Sequence, residues 1–286
     1  MGPATPPYPK TPTFNPTDLA EPICQYALQL VTERDDTCHP MGTAVPIGSC
    51  LALTARHILS ACRRAYGFEE QQSGDRQFDF VMHAFQFSSG REARYWSVAR
   101  IYWSISSEIA ALQVRSNPDW IPPIFPRISF NPPRVGSRIV GFGYAANVDV
   151  QLDSLMVDPG AHTAVGEVID VFPRGRDRAL APFPCFQVNA PFDDSMSGGP
   201  VFDDSGHLCG LICSNLPPFE PGEDHASLVA LLRPSAGLSI DAPWAARPPG
   251  SWYPMLDLFN AIQGGARGLD GIAILPDGKL RFRQES

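Results

Sequence analysis

Ser197 stands in the run Asp-Asp-Ser-Met-Ser-Gly-Gly-Pro-Val-Phe, and the residues that follow it present its hydroxyl as a candidate nucleophile. A serine followed by Gly198, Gly199 and Pro200, then by Val201 and Phe202, predicts a tight turn that exposes the hydroxyl and leads into a strand. Glycine tolerates positive φ and close backbone approach, so a reacting carbonyl has room to lie against this turn. Two further residues carry complementary chemistry. His57 ends the apolar stretch Leu51-Ala52-Leu53-Thr54-Ala55-Arg56-His57, and Glu108 opens the block Glu108-Ile109-Ala110-Ala111-Leu112-Gln113-Val114. A hydroxyl, an imidazole and a carboxylate are the groups that nucleophilic acyl transfer combines.

The surrounding elements read as strands. Val201-Phe202 and Leu208 to Cys213 flank Asp203-Asp204-Ser205-Gly206-His207, which predicts a hairpin with a glycine-containing turn behind the serine. Gln25 to Val31, Gly42 to Ile47 and Ser49 to Leu59 predict three earlier strands, the last ending on His57. Phe78 to Phe87 alternates with period two, and Tyr95 to Trp103 does so less cleanly. Val165 to Phe172 and Cys185 to Val188 add strands before the serine turn.

Three motifs carry a family resemblance. Ser197-Gly198-Gly199-Pro200, Thr54-Ala55-Arg56-His57 and Ile109-Ala110-Ala111-Leu112, in the order His, acid, Ser, resemble the signatures of the chymotrypsin-like (trypsin-like) serine peptidases. Ser137-Arg138-Ile139-Val140-Gly141-Phe142-Gly143-Tyr144 is similar to the strand that opens the family's second barrel. The resemblance spans about residues 23–215 and implies an all-β fold of two Greek-key six-stranded barrels. It implies a serine endopeptidase with His57 as general base, Glu108 as the acid that orients it and Ser197 as nucleophile. Backbone N–H groups of Ser195 and Ser197 would form the oxyanion hole. Pro191, Cys213, Ser214 and Asn215 would line the specificity pocket. The reverse order, Ser, acid, His, belongs to α/β-type acyl hydrolases, which sets that class aside.

The chain departs from the family at several places. The acid is Glu rather than Asp, with Asp75 and Asp79 as other carboxylates nearby in sequence. Ser195 replaces the family's Gly, which disfavours the amide orientation that forms the hole; a catalytically silent, partner-binding module is therefore the alternative reading. Met196 stands where the zymogen-derived members carry an Asp, and no Ile/Val-x-Gly-Gly start precedes His57. This resembles bacterial intracellular or HtrA-like members that fold directly to a competent or gated state. Pro191 occupies the place of the trypsin-type carboxylate, against a basic preference.

Organisation and compartment follow from composition. The 286 residues include 30 prolines, which break long helices. The expected layout is a flexible Pro-rich arm at 1–20, a first barrel at 21–120 and a linker at 121–133. A second barrel at 134–216 and an extension at 217–286 complete it. Within that extension Ala226 to Arg233 and Tyr253 to Ile262 read as helices, and Gly271–Leu275 with Lys279–Phe282 as a hairpin. A net charge of −8 and a pI near 5.2 argue against a nucleic-acid partner. No run is long enough to span a bilayer, and the start Met-Gly-Pro-Ala-Thr-Pro-Pro lacks a signal-peptide core. Seven cysteines, an odd number without Cys-x-x-Cys pairs, read as reduced thiols, and the family's disulfide after the histidine is missing because Ile58 is there. The expectation is a cytoplasmic protein with a peptide or protein substrate, no membrane, no metal and no cofactor. The extension is also a candidate site for a regulatory protein partner.

Overall fold

In the computed structural model the described residues are 13–18, 21–34, 37–66, 73–76, 82–87, 93–104, 107–116, 125–144, 160–216, 226–241, 252–261, 266–270, 272–275 and 280–282. The expected Asp79, the 117–124 segment, the 217–225 loop and the turn at 276–279 lie outside them. A short strand, β1 (Thr13–Pro16), begins the described chain. The first barrel is built from β2 (Leu28–Arg34), β3 (Thr37–Gly48), β4 (Leu51–Ala55), β6 (Met82–Phe87), β7 (Ala93–Ser104) and β8 (Ile109–Ser116). Helix α1 (Arg56–Ala65) follows β4, and β5 (Ser73–Arg76) hangs on the outside of β7. The strand order is β7-β6-β2-β3-β4-β8, and antiparallel pairing of β7 with β8 closes the ring.

A second closed ring follows, preceded by the short β9 (Ile128–Ser129). Its strands are β10 (Arg138–Tyr144), β11 (Ala161–Phe172), β12 (Cys185–Val188), β13 (Pro200–Asp203), β14 (Leu208–Leu216) and β15 (Ala226–Leu231). They run in the order β13-β10-β11-β12-β15-β14, with β13 returning to β14. Two closed six-stranded antiparallel barrels are the chymotrypsin-like architecture that the sequence motifs implied. Leu28, Leu30, Trp96 and Leu112 fill the first interior. Phe186, Val188, Ile212 and Val229 fill the second. Between the barrels Val45, Leu53, Phe202 and Leu211 pack together, so burial of apolar surface docks one barrel on the other.

Several boundaries move. Ala226 to Leu231 is a strand, not a helix: Ser-Leu-Val-Ala-Leu is buried on every side chain and hydrogen-bonded to β12 and β14 on its two flanks. Pairing on both edges outweighs the helical preference of Ala and Leu, and a strand covered on both faces reads as a continuous apolar run. The second barrel therefore ends at Leu231 rather than at residue 216. Pro22–Tyr26 is a 3-10 turn, so the first strand of that first barrel begins at Leu28 instead of Gln25. Residues Thr13–Pro16 of the expected flexible arm add an antiparallel strand to β11. Within the expected linker, Ile128–Ser129 pairs in parallel with β14.

Beyond Leu231 the chain returns over the barrels. It forms β16 (Ser239–Asp241), β17 (Trp252–Pro254), helix α2 (Met255–Ala261) and β18 (Ala266–Arg267), then the hairpin β19 (Ile272–Ile274) and β20 (Leu280–Phe282). Phe259 of α2 meets Phe130 edge-on at 4.7 Å between centroids, and both rings are buried in the inter-barrel core. Arg100 of β7 donates to the Asp241 carboxylate at 2.6 Å, and the Tyr102 hydroxyl donates to the Asp241 carbonyl at 3.1 Å. The tail is thereby part of the core rather than an appendage.

Candidate active site

Antiparallel pairing of β4 with β8 sets Ala55 opposite Ile109, so the residues just after one strand meet the residue just before the other. The Arg56 N–H continues the ladder and donates to the Glu108 carbonyl at 2.7 Å. His57 does not end a strand: the strand stops at Ala55, and His57 lies in the first turn of α1, with Ile58, Leu59 and Cys62 on the buried face. The Glu108 carboxylate caps this turn. Its Oε1 accepts from the His57 backbone N–H at 2.9 Å and lies 2.7 Å from His57 Nδ1. Its Oε2 lies 3.6 Å from the Arg56 guanidinium. Glu108 is 5% exposed and the His57 side chain 39%, so the carboxylate is shielded while the ring reaches the surface. An Nδ1–H donated to Glu108 leaves Nε2 as the basic atom.

Ser197 is brought to the same place by the other barrel. Its carbonyl accepts from the Thr43 N–H at 2.8 Å, and the Gly198 N–H donates to the Ile212 carbonyl at 2.7 Å. Gly198 adopts φ of +78° and lies so close to β3 and β4 that a Cβ there would sit 2.1 Å from the Thr43 carbonyl oxygen. The same atom would be 2.4 Å from Thr54 Oγ1 and 3.0 Å from Ile58 Cδ1. Thr54 Oγ1 itself donates to the Thr43 carbonyl at 2.7 Å, which fixes the surface the glycine rests on. The residue after the serine thus touches the residue after the histidine. Met196 anchors the other side, fully buried in the second barrel against Gly143. Among the described residues, no hydrogen bond joins Ser197 Oγ to the His57 ring.

The two N–H groups expected to form an oxyanion hole point elsewhere. Asp194–Met196 forms a 3-10 turn capped by Asp193. The Ser195 N–H donates to Asp193 Oδ1 at 2.9 Å, and the Ser195 hydroxyl donates to the same oxygen. The Ser197 N–H donates to the Asp194 carbonyl at 3.3 Å. Both N–H groups expected to face a substrate oxygen are satisfied inside the turn.

The expected pocket residues are partly assembled. Pro191 and Ser214 are half-buried, and the turn before Pro191 is held by Ser227, whose hydroxyl donates to the Ala190 carbonyl at 2.8 Å. Cys213 is buried in the inter-barrel core at the bulge of β14. Its burial, and next the Glu108 charge, push its thiol well above the usual range. Asn215 lies one residue pair along, opposite Ser227. Asp75 sits in β5, on the far edge of β7, whereas Glu108 is the acid that meets His57. Sequence reasoning missed Arg56 and Asp193; their only signals were adjacency to the histidine and to the serine turn. Among the described residues no group of three His, Cys, Asp or Glu side chains is placed to hold a metal ion.

A family model described as the trypsin-like peptidase domain matches residues 42–211. No curated protein matches the chain. Among solved structures, the active form of the Rv3671c protease from M. tuberculosis is similar at 16% identity and a TM-score of 0.51, over 86% of this chain and 96% of that one. The MamO protease domain from Magnetospirillum magneticum, in its apo form, gives 12% identity and a TM-score of 0.49, over 73% of this chain and 93% of its own. Deg5 gives 12% and 0.48, over 73% and 84%. At 16% identity the likeness to the Rv3671c protease is one of fold.

Proposed function

The chain belongs to the trypsin-like peptidase domain family, and on that premise we propose that it is a serine endopeptidase that works through an acyl-enzyme on Ser197. The observation that carries the reading is the buried Glu108 carboxylate 2.7 Å from His57 Nδ1, set beside a serine turn clamped onto Thr43, Thr54 and Ile58. In this reading His57 Nε2 takes the Ser197 proton as Oγ attacks a peptide carbonyl. The same proton is then delivered to the leaving amine, and water repeats the sequence on the acyl-enzyme. Glu108 fixes the Nδ1–H tautomer and stabilises the imidazolium, and Arg56 holds its second oxygen. By the family resemblance, the positions Pro191, Cys213, Ser214 and Asn215 correspond to the pocket for the side chain before the scissile bond. The six cysteines that are free among the described residues support a reducing compartment such as the cytoplasm.

One observation favours a second reading. Both oxyanion donors are engaged internally, and losing a single such donor costs about a hundred- to a thousandfold in rate. A catalytically silent module that binds a protein partner would retain this turn unchanged. Incubation with a mixture of quenched fluorogenic peptides separates the two. Cleavage by the native chain that is lost in Ser197→Ala and in His57→Ala supports the endopeptidase; peptide binding without cleavage in all three supports the silent module.

A further inference from the structure

The peptide unit between Asp194 and Ser195 is the part of the site that is turned the wrong way for catalysis. Its carbonyl accepts from the Ser197 N–H at 3.3 Å, and its N–H is drawn 2.9 Å from Asp193 Oδ1. Turning this one unit over would release both donors at once, because the carbonyl would leave Ser197 as the N–H left Asp193. We propose that Asp193 is a positioning residue that holds this peptide inverted and so keeps the oxyanion hole closed in the resting protein; the proposal rests on the endopeptidase reading.

The geometry gives Asp193 three holds on the turn. Its carboxylate oxygen takes the Ser195 N–H and the Ser195 hydroxyl, and its carbonyl accepts from the Met196 N–H at 3.0 Å. The first two depend on its side chain and on the hydroxyl of Ser195. The next residues cannot follow a larger rearrangement: Met196 is buried against Gly143, the Ser197 carbonyl is tied to Thr43, and the Gly199 N–H donates to the Met196 carbonyl at 2.9 Å. Opening is therefore confined to the 194–195 peptide. Asp193 and Asp194 are exposed, so the latch lies open to solvent at the serine turn. Ser195 adds to the closure, since the inverted unit suits an L-residue in a 3-10 turn and the open one favours glycine.

The population of open sites sets the apparent rate of attack, so removing the latch accelerates reaction instead of slowing it. A merely structural role predicts the opposite sign. The test uses the full chain and a fluorophosphonate probe, in which Ser197 Oγ forms a bond to phosphorus and fluoride leaves, with labelling followed by intact mass over time. Asp193→Ala and Ser195→Gly are each expected to label about ten- to a hundredfold faster than the native chain. The double variant is expected to gain less than the product of the two, because both act on one hydrogen-bonded unit. Turnover of a fluorogenic peptide is expected to rise in kcat with little change in KM. Should Asp193→Ala fail to fold, Ser195→Gly decides alone. Native protein that labels at Ser197 in a His57-dependent way, with folded variants no faster, overturns the latch and leaves the peptidase standing. No labelling in native protein or in either variant overturns the endopeptidase reading and the latch with it.

Discussion

Replacing Gly198 by Ala tests whether the contact between the barrels holds Ser197 in place. The added Cβ meets the Thr43 carbonyl oxygen at 2.1 Å and Thr54 Oγ1 at 2.4 Å, and backbone cannot move aside as a side chain can. The φ of +78° adds a left-handed cost of about 1–2 kcal/mol for a residue with a Cβ. Relief of the clash requires the turn to withdraw from β3, which breaks the Thr43 to Ser197 hydrogen bond; overpacking of this kind costs about 1–3 kcal/mol. The sum, about 2–5 kcal/mol, corresponds to a fall in melting temperature of roughly 3–8 °C for a chain of this size. Gly48→Ala is the matched control, since nothing lies within 4 Å of where its Cβ would stand and its φ is not in the left-handed region. Its expected change is within about 0.5 kcal/mol. Thermal denaturation by circular dichroism, with peptide cleavage measured in parallel, reads both. If Gly198→Ala melts with Gly48→Ala and cleaves as fast as the native chain, the inter-barrel clamp is not what positions Ser197.

Other perturbations follow from the same contacts. Glu108→Gln keeps an acceptor for the His57 N–H but removes the charge that stabilises the imidazolium, so kcat is expected to fall by about a thousandfold or more with the protein still folded. Phe259→Ala removes a ring packed on Phe130 and is expected to destabilise by about 3–5 kcal/mol in chemical denaturation; a change under about 1 kcal/mol would mean that the tail is not core. Burial raises the Cys62 thiol from 9.0 to about 12; at Cys24, burial and then the Glu21 and Asp18 charges do the same. Burial also raises the Cys185 thiol to about 11. The folded state thus favours the protonated thiols: their contribution is complete below pH 9 and is lost as pH climbs from about 9 to about 12, so the denaturation midpoint falls over that interval. The same thiols are expected to resist iodoacetamide at pH 8 until denaturant is added.

The two-barrel fold was readable because its evidence lies in short local patterns. Glycines at a turn, an apolar run ending on a histidine and an acid opening a strand survive in the letters themselves. What escaped the sequence depends on partners distant in the chain. Ala226 to Leu231 looked helical from its Ala and Leu content, and only β12 and β14 on its two edges make it a strand. The Arg56 to Ala65 helix was hidden behind the strand that runs into it. Its buried Ile58, Leu59 and Cys62 fit a helical face, and the capping carboxylate comes from Glu108, across the sheet. Ser195 marked the oxyanion turn as unusual, but the acceptor that captures its N–H is a side chain two residues earlier, which no pattern in the sequence singles out.

A serine endopeptidase working through Ser197 must pass through a covalent acyl intermediate on that residue. Mixing the native chain with an activated p-nitrophenyl ester, quenching in acid during the first turnover and measuring intact mass tests it directly. The expected result is an increase equal to one acyl group, mapped to the peptide bearing Ser197 and absent from Ser197→Ala and His57→Ala. Ester turnover with no acylated protein at any time, or an acyl group that persists in Ser197→Ala, would contradict it.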